Sequence, residues 1–172
     1  INAGVSEAMM LTNTSKGSSY TLTVAVRKKI LKGLDASLAY TYFNSKEISS
    51  NPGSQAASAW SNIPNINTPN DPGLAYSDYA IPHRVVGALT YRHQFIERLG
   101  TTLGLYYNGA NSGRFSYKSS NDINQDGINN DLLYIDVNNM LFKTPEDKDA
   151  FLVFYNQDKY LKNKGTGYTE RN

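Results

Sequence analysis

Apolar and polar residues alternate along several segments of this chain, and this two-residue period is the feature that most limits its fold. From Tyr20 to Lys28 the sequence reads YTLTVAVRK, in which Leu22, Val24 and Val26 stand at every second position. Successive side chains of a β-strand point to opposite faces of its sheet, so this period indicates a strand with one apolar face. The chain is therefore predicted to consist mainly of β-strands.

Four segments of this kind occur, and the connections between them differ sharply in length. The predicted strands cover residues 19–28, 34–44, 84–95 and 101–108. Short turns within KILKG and IERLG join the first strand to the second and the third to the fourth, which predicts two antiparallel hairpins. The long connections, residues 45–82 and 117–165, are rich in polar residues. Connections this long are unusual in compact domains and are commonly functional or disordered.

One helix is predicted within the second long connection, at residues 145–162. Thr144 is a suitable N-cap, Pro145 suits the first helical position, and two acids follow it in the first turn. Phe151 and Phe154 are three residues apart and share one side of such a helix. The predicted fold class is therefore all-β with one short helix.

Tight turns join strand ends on one side of the predicted sheet, and long loops join them on the other. Transmembrane β-barrels have this asymmetry, with short periplasmic turns and long extracellular loops. A strand of about 10 residues rises ~33 Å and, tilted by about 40°, covers an apolar band of ~25 Å. The pattern favours antiparallel strands of a transmembrane β-barrel, a partial barrel of about four strands with two long extracellular loops. A soluble antiparallel sheet with one buried face gives the same alternation and is the alternative.

Aromatic residues stand near the ends of the predicted strands, where a membrane barrel carries its aromatic girdles. Tyr40, Tyr42 and Phe43 lie at the end that leads into the first long loop, and Tyr91 and Phe95 lie toward the short-turn end. These positions predict two aromatic girdles.

Composition and motifs exclude several functional classes. A net charge of +2 gives no strong electrostatic field for nucleic acid, and the lack of cysteine excludes disulfides and thiolate chemistry. The opening INAGVSEAMM has no initiating Met and no signal-peptide pattern, which predicts a processed start or an excerpt. No G-x-S-x-G, H-E-x-x-H or P-loop motif occurs, so the chain is predicted not to be an enzyme and to require no cofactor.

The stretch DINQDGINND resembles the beginning of a calcium-binding loop. Asp122, Asn124 and Asp126 occupy positions 1, 3 and 5, and Gly127 occupies position 6, where such loops turn sharply. Position 12 is a leucine instead of the usual glutamate, and Asp131 at position 10 is the substitute ligand. The alternative is a loop in which Asn and Asp side chains cap their own backbone. Both interpretations remain open from the sequence.

Four further residues are candidates for contact with a substrate or partner. Arg84 and Arg92 alternate onto the polar face of the third strand, where guanidinium groups can meet anionic groups of a substrate or of a plug domain. Arg114 follows the fourth strand, and Trp60 stands in the first long loop, where its ring can stack on a sugar or pack the loop onto itself. Ordinary solvated or packing roles are the alternative for all four.

Five segments occur in a familiar order: LTNTSKGSSYTLTVAVRKKILKGLDASLAYTYFNSKEI, YSDYAIPHRVVGALTYRHQF, TTLGLYYNGANSGRFSY, NDINQDGINNDLLYI and FYNQDKYLKNKGTGYTERN. The chain resembles the C-terminal barrel region of Oar-like TonB-dependent outer-membrane transporters, which are related to SusC-type receptors. The resemblance covers nearly the whole chain, and its most specific pieces are IPHRVV, DINQDG with NDLLYI, and NQDKYL. The chain shows no plug and no TonB box, so it resembles a fragment of such a receptor.

The resemblance implies a Gram-negative outer-membrane location, with the long loops extracellular. It implies import of a nutrient, an oligosaccharide, peptide or chelate, through a plugged barrel. The implied partners are the rest of the barrel and its plug domain, the TonB complex acting through the parent protein, and a surface lipoprotein at the loops, with no nucleic acid. The competing expectation is a soluble or cell-surface β-rich binding module with no transport role.

Overall fold

Four long antiparallel strands form the main sheet of this protein, whose computed structural model describes residues 9–172. The elements in chain order are β1 (Ser18–Leu31), β2 (Leu34–Glu47), α1 (Ala56–Ser61), β3 (Ala75–Tyr76), β4 (His83–Ile96), β5 (Leu99–Ala110), β6 (Tyr134–Ile135), α2 (Pro145–Gln157), α3 (Lys159–Lys164) and β7 (Gly167–Tyr168). The sheet order is β1-β2-β4-β5, with β3 paired to β2. The prediction of a mainly antiparallel β fold is confirmed. The start of the chain, on which the processing prediction rests, includes residues 1–8, which lie outside the described part.

The long strands extend beyond the segments in which the sequence alternates. β1 and β2 pair from Ser18 opposite Lys46 to Leu31 opposite Leu34, and β4 and β5 pair as far as Ile96 opposite Leu99. Only two residues are left to form each turn, so the turns are tighter than the sequence indicates. A bulge precedes each of them. In β1, backbone pairing continues through KKIL, although the apolar alternation has already ended there. Ladder hydrogen bonds join main-chain groups and do not depend on side-chain polarity.

Gly33 makes the first of these turns possible. Its φ of 84° lies in the left-handed region, and an added Cβ would stand 2.2 Å from the carbonyl oxygen of Arg92 on β4. The Arg92 amide also donates to the Gly33 carbonyl at 2.7 Å, so the turn is fastened to the neighbouring hairpin. No side chain fits at this position without moving β4.

Gly33→Ala is therefore expected to destabilise the sheet by at least about 1–2 kcal/mol, the cost of a left-handed non-glycine residue, before the overlap with β4 is counted. The denaturant midpoint of the refolded polypeptide measures this loss. Gly100→Ala is the matched control, because Gly100 lies in β5 with no atom within 4 Å of an added Cβ. Equal midpoints for the two variants would contradict this account of the turn.

The strand register gathers the alternating apolar residues on one face of the sheet. Val26 pairs with Leu38, Leu38 with Gly87, and Gly87 with Tyr107, so one apolar row crosses all four long strands. The opposite face carries small and polar residues, as in the pair Thr23 and Thr41. Large side chains on the apolar face remain exposed: Leu22, Val24, Val26, Leu38, Leu89, Leu103 and Leu105. No segment of the described chain covers this face.

Aromatic side chains border the apolar face at both ends of the strands. Near the long connections the Tyr42 ring lies 5.9 Å from that of Tyr20 and 5.3 Å from that of His83. At the turn end the His93 ring lies 4.5 Å from that of Phe95. The prediction that Phe43 belongs to the same aromatic girdle as Tyr40 and Tyr42 was wrong. Phe43 pairs with Thr21 and therefore lies on the polar face, one residue out of phase with its tyrosine neighbours.

The predicted helix at residues 145–162 is divided into two helices. Asp158 takes an extended backbone conformation between α2 and α3, and its side chain accepts the Leu161 amide as an N-cap. A carboxylate in this position favours the start of a new helix because it accepts a hydrogen bond from an amide of the first turn. That amide has no partner within its own helix. The prediction of a single helix was therefore wrong, and α1 was not predicted at all. No helix of residues 9–172 has the length and apolar character needed to cross a membrane.

The described chain packs as two separate units. The strand unit contains residues 17–47 and 76–114, and the loop unit contains residues 9–16, 48–75 and 115–172. The loop unit has its own small core, which includes Ile135 and Leu161. Both long connections contribute to this unit, so they are folded against each other and are not two independent loops.

Candidate functional site

One short bridge joins the two long connections inside the loop unit, and a second bridge lies within the second connection. Asn65 of the first connection pairs in parallel with Asp131 of the second, and Leu132 pairs with Lys118. The Asn65 amide donates to the Asn130 carbonyl at 3.2 Å, and the Leu132 amide donates to the Asn65 carbonyl at 2.8 Å. These main-chain bonds hold the polar stretch around Asp131 against a segment more than sixty residues earlier in the chain.

The segment 122–131, which we call the acidic loop, folds around its own carboxylates. Asp122 accepts the amides of Asp126 and Gly127 on its two oxygens, at 3.1 and 2.8 Å. Asn124 Oδ1 accepts the Asp126 amide at 2.9 Å, and Asp126 Oδ1 accepts the Ile128 amide at 2.9 Å. Gly127, with φ of 89°, provides the sharp turn that the sequence predicted at position 6.

Asp131 closes the acidic loop from within the core of the loop unit. Its side chain has 0% exposure, and its Oδ2 accepts the amides of Ile123 and Asn124 at 2.5 and 3.2 Å. Its other oxygen, Oδ1, is buried and has no hydrogen-bond partner. All four residues that the sequence proposed as calcium ligands thus lie in one loop that is closed by its own hydrogen bonds.

Asn65, which pairs with Asp131 across the bridge, also has a buried side-chain oxygen without a hydrogen-bond donor. The side chain is 3% exposed, and its Nδ2 donates to the Ile63 carbonyl and to Asn130 Oδ1 at 3.2 and 3.0 Å. Its Oδ1 is buried without a donor. Sequence reasoning missed Asn65 because it stands alone in the first long connection, where only the tertiary pairing makes it a neighbour of Asp131.

Residues 9–172 contain no group of three or more His, Cys, Asp or Glu side chains arranged to hold a metal. A site built from acids and histidines alone is therefore absent from the described chain. Any cation at the acidic loop would need amide or carbonyl oxygens among its ligands, which calcium accepts.

A partly buried polar contact between Tyr117 and Asp158 fixes the helical part of the loop unit. The Tyr117 hydroxyl donates to Asp158 Oδ2, while Asp158 Oδ1 accepts the Leu161 amide at 2.8 Å. Burial and then the bond to Asp158 raise the pKa of Tyr117 to about 12. The same bond, followed by the Leu161 amide, lowers the pKa of Asp158, so its carboxylate remains charged as a helix cap. This pair has a structural role.

Trp60 lies in α1 of the loop unit and is half-buried. Its indole Nε1 donates to Asn70 Oδ1 at 2.9 Å, a contact within the first long connection. The structure thus gives Trp60 a packing partner in its own loop. The prediction that it contacts a substrate or partner remains a prediction.

The three candidate arginines occupy different positions in the strand unit. Arg84 and Arg92 share one face of β4, and eight residues of strand separate them by about 26 Å. Arg84 Nε donates to Asn108 Oδ1 on β5 at 3.0 Å. The Arg114 guanidinium lies 3.8 Å from the centre of the Tyr76 ring, a cation–π contact. Because Arg84 and Arg92 are so far apart, they cannot jointly bind one small anion.

The fold alone assigns this protein to a structural class. It is an antiparallel β-sheet protein with an exposed apolar face and a separately packed loop unit. No protein-family model, no curated protein and no solved structure matches the chain.

Proposed function

We propose that this chain is part of an outer-membrane transport barrel, of the TonB-dependent receptor type that its sequence resembles. One observation carries the proposal: the uncovered apolar face that crosses β1, β2, β4 and β5. This face suits contact with lipid because the long strands that carry it match the thickness of an apolar bilayer core.

The two ends of the apolar face support a membrane setting. Tyr20, Tyr42 and His83 border the face near the long connections, and His93 and Phe95 border it near the turns. Aromatic rings with a polar group prefer the boundary between hydrocarbon and water. A soluble sheet has no comparable reason to place rings at both ends of its apolar face.

The opposite face suits the interior of a barrel. Most cross-strand neighbours on this face are small or polar, such as Thr23 and Thr41, whose hydroxyl oxygens lie 3.0 Å apart; Phe43 and Val86 are apolar exceptions. Four strands do not close a barrel, and β1 and β5 are the outer strands of the described sheet. Both edges therefore need further strands, which the proposal assigns to the rest of the receptor barrel.

In this proposal the loop unit is extracellular and takes part in receiving a nutrient, an oligosaccharide, peptide or chelate. Trp60 and Arg114 are the proposed contacts for substrate or a surface lipoprotein, and Arg84 and Arg92 face the barrel interior or a plug domain. Transport itself belongs to the parent receptor with its plug and the TonB complex.

Fractionation of cells that make the native polypeptide tests this proposal. A peptide from residues 101–114 identifies the polypeptide by mass spectrometry. The expected result is a species much larger than this chain, in the outer-membrane fraction, whose electrophoretic mobility changes on heating as folded barrels unfold. A native species of this chain's size in the soluble fraction would overturn the proposal and favour the β-rich binding module.

A further inference from the structure

The buried residues Asp131 and Asn65 each have one side-chain oxygen without a hydrogen-bond donor. Two acceptor oxygens, Asp131 Oδ1 and Asn65 Oδ1, belong to residues paired across one bridge, and neither has a donor. Among the described residues, no lysine or arginine forms an ion pair with Asp131, and Lys164 of the same unit pairs instead with Glu170 at 3.3 Å. A buried carboxylate without a compensating charge is costly, so a cation here would be stabilising.

We propose that the acidic loop and Asn65 form a calcium site. Asp122, Asn124 and Asp126 stand at loop positions 1, 3 and 5, the side-chain ligand positions of calcium loops. Asp131 Oδ2 accepts two amides from within this same segment, so its carboxylate lies at the loop and supplies the charge that position 12 usually gives. Asn65 adds an oxygen from the other long connection.

The hydrogen bonds within the acidic loop are compatible with metal binding. Each carboxylate oxygen of Asp122 accepts one amide, which leaves it a second lone pair for a cation. The three carboxylates do not form a metal-binding group in the described residues, so calcium would have to draw Asp122 and Asp126 toward the fixed carboxylate of Asp131. The site offers only oxygen atoms, with no His or Cys, which selects a hard cation over zinc. Calcium suits it better than magnesium because calcium tolerates irregular geometry and many protein oxygens.

The proposal gives calcium a structural task that is independent of transport. The ion would join the two long connections through Asn65 and Asp131, and would neutralise the buried carboxylate of Asp131. Loss of calcium should therefore loosen the loop unit while leaving the strand unit folded.

Titration of the native polypeptide with Ca²⁺ alone, after removal of metals with a chelator, tests the site. Isothermal titration calorimetry should show binding with a Kd of about 10⁻⁴–10⁻³ M or tighter, the range of extracellular calcium modules. Calcium should also slow proteolysis within residues 117–136, and Mg²⁺ at equal concentration should do so much less. No binding at millimolar Ca²⁺ would overturn the proposal.

Asp131→Asn is the decisive variant. Its effect on calcium affinity and on stability differs according to whether Asp131 and Asn65 form a calcium site or not. At a calcium site it removes the charged ligand, and affinity should fall by at least about 10–100-fold, the loss that even outer-shell changes cause. Without a calcium site, the substitution removes a buried charge that has no compensating partner, so stability should rise and calcium should have no effect. Unchanged calcium affinity in Asp131→Asn would also overturn the proposal.

Two further variants separate loss of binding from loss of folding. Asp126→Asn changes an exposed loop residue and keeps the oxygen that accepts the Ile128 amide, so the loop should fold but bind calcium more weakly. Asp136→Asn is the matched control, since Asp136 caps Asn139 outside the acidic loop and should leave affinity unchanged. Equal weakening by Asp126→Asn and Asp136→Asn would indicate non-specific charge attraction and contradict the site.

Discussion

Replacing Leu89 by arginine is expected to destabilise the membrane-embedded sheet by about 2–4 kcal/mol, the cost of a cation on the lipid face near the bilayer midplane. Leu89 lies near the middle of β4, between Ala36 of β2 and Leu105 of β5, and all three are on the apolar face. The free energy of unfolding of the full polypeptide in lipid vesicles measures the effect.

Thr90→Arg is the matched control for this prediction. Thr90 is the next residue along β4, so its side chain projects from the opposite face, where its partners are Asp35 and Gly104. The carboxylate of Asp35 and the open space beside Gly104 can accommodate an arginine. We expect a change of less than about 1 kcal/mol for a polar substitution at such a site. Equal losses from the two arginine substitutions would show that β4 has no lipid face.

Leu89→Ala distinguishes lipid from a protein core as the cover of the apolar face. A protein core would leave a cavity at the truncated side chain, with a loss of about 2–5 kcal/mol. Acyl chains are fluid and fill such a space, so in a membrane we expect only the loss of contact area, about 1–2 kcal/mol. A loss at the upper end of the core range would support the soluble binding module over the barrel.

Leu161→Ala is expected to cost the loop unit about 2–5 kcal/mol, because it empties a fully buried position. Leu161 is 0% exposed in α3, just after the Asp158 cap whose pairing with Tyr117 fixes the start of this helix. Hydrogen exchange of the Leu132, Leu133 and Thr169 amides measures the loss, since their bonds join the segments of the loop unit. Their protection should fall at least about 30-fold.

Leu141→Ala is the control for the core of the loop unit. Leu141 belongs to the same unit but is 99% exposed, so the same substitution removes no buried contact. Protection of the three amides should remain unchanged. Amides of β4 and β5 should stay protected in both variants because they belong to the strand unit. A fall in protection with Leu141→Ala equal to that with Leu161→Ala would refute the proposed core.

The strands were predictable because their pattern is local. Alternation in YTLTVAVRK and LDASLAYTYFN fixes which residues share a face, and the two short turns fix hairpin pairing. Phe43 shows the limit of reasoning from position along the chain. Its nearness to Tyr42 suggested a shared aromatic group, whereas the two-residue period of a strand sends adjacent side chains to opposite faces.

The helical region was predicted less well because a cap can end one helix and begin another. The sequence pattern ran through Asp158 without interruption, whereas in the structure Asp158 caps the Leu161 amide and also accepts the hydroxyl of Tyr117, about forty residues earlier. Apolar periodicity does not record a side-chain cap, and the contact with Tyr117 exists only in the folded chain.

The sequence by itself determined the β class, the apolar face and the loop chemistry, since these depend on residue order and on the turn preferences of glycine and aspartate. Only the tertiary structure decided that both long connections build one loop unit, and that Asp131 and Asn65 meet inside it with two oxygens unsatisfied. Burial creates the electrostatic demand at this pair, and burial is a property of the packed chain. The physical reason is that solvent satisfies every oxygen in an extended chain, whereas folding removes the solvent.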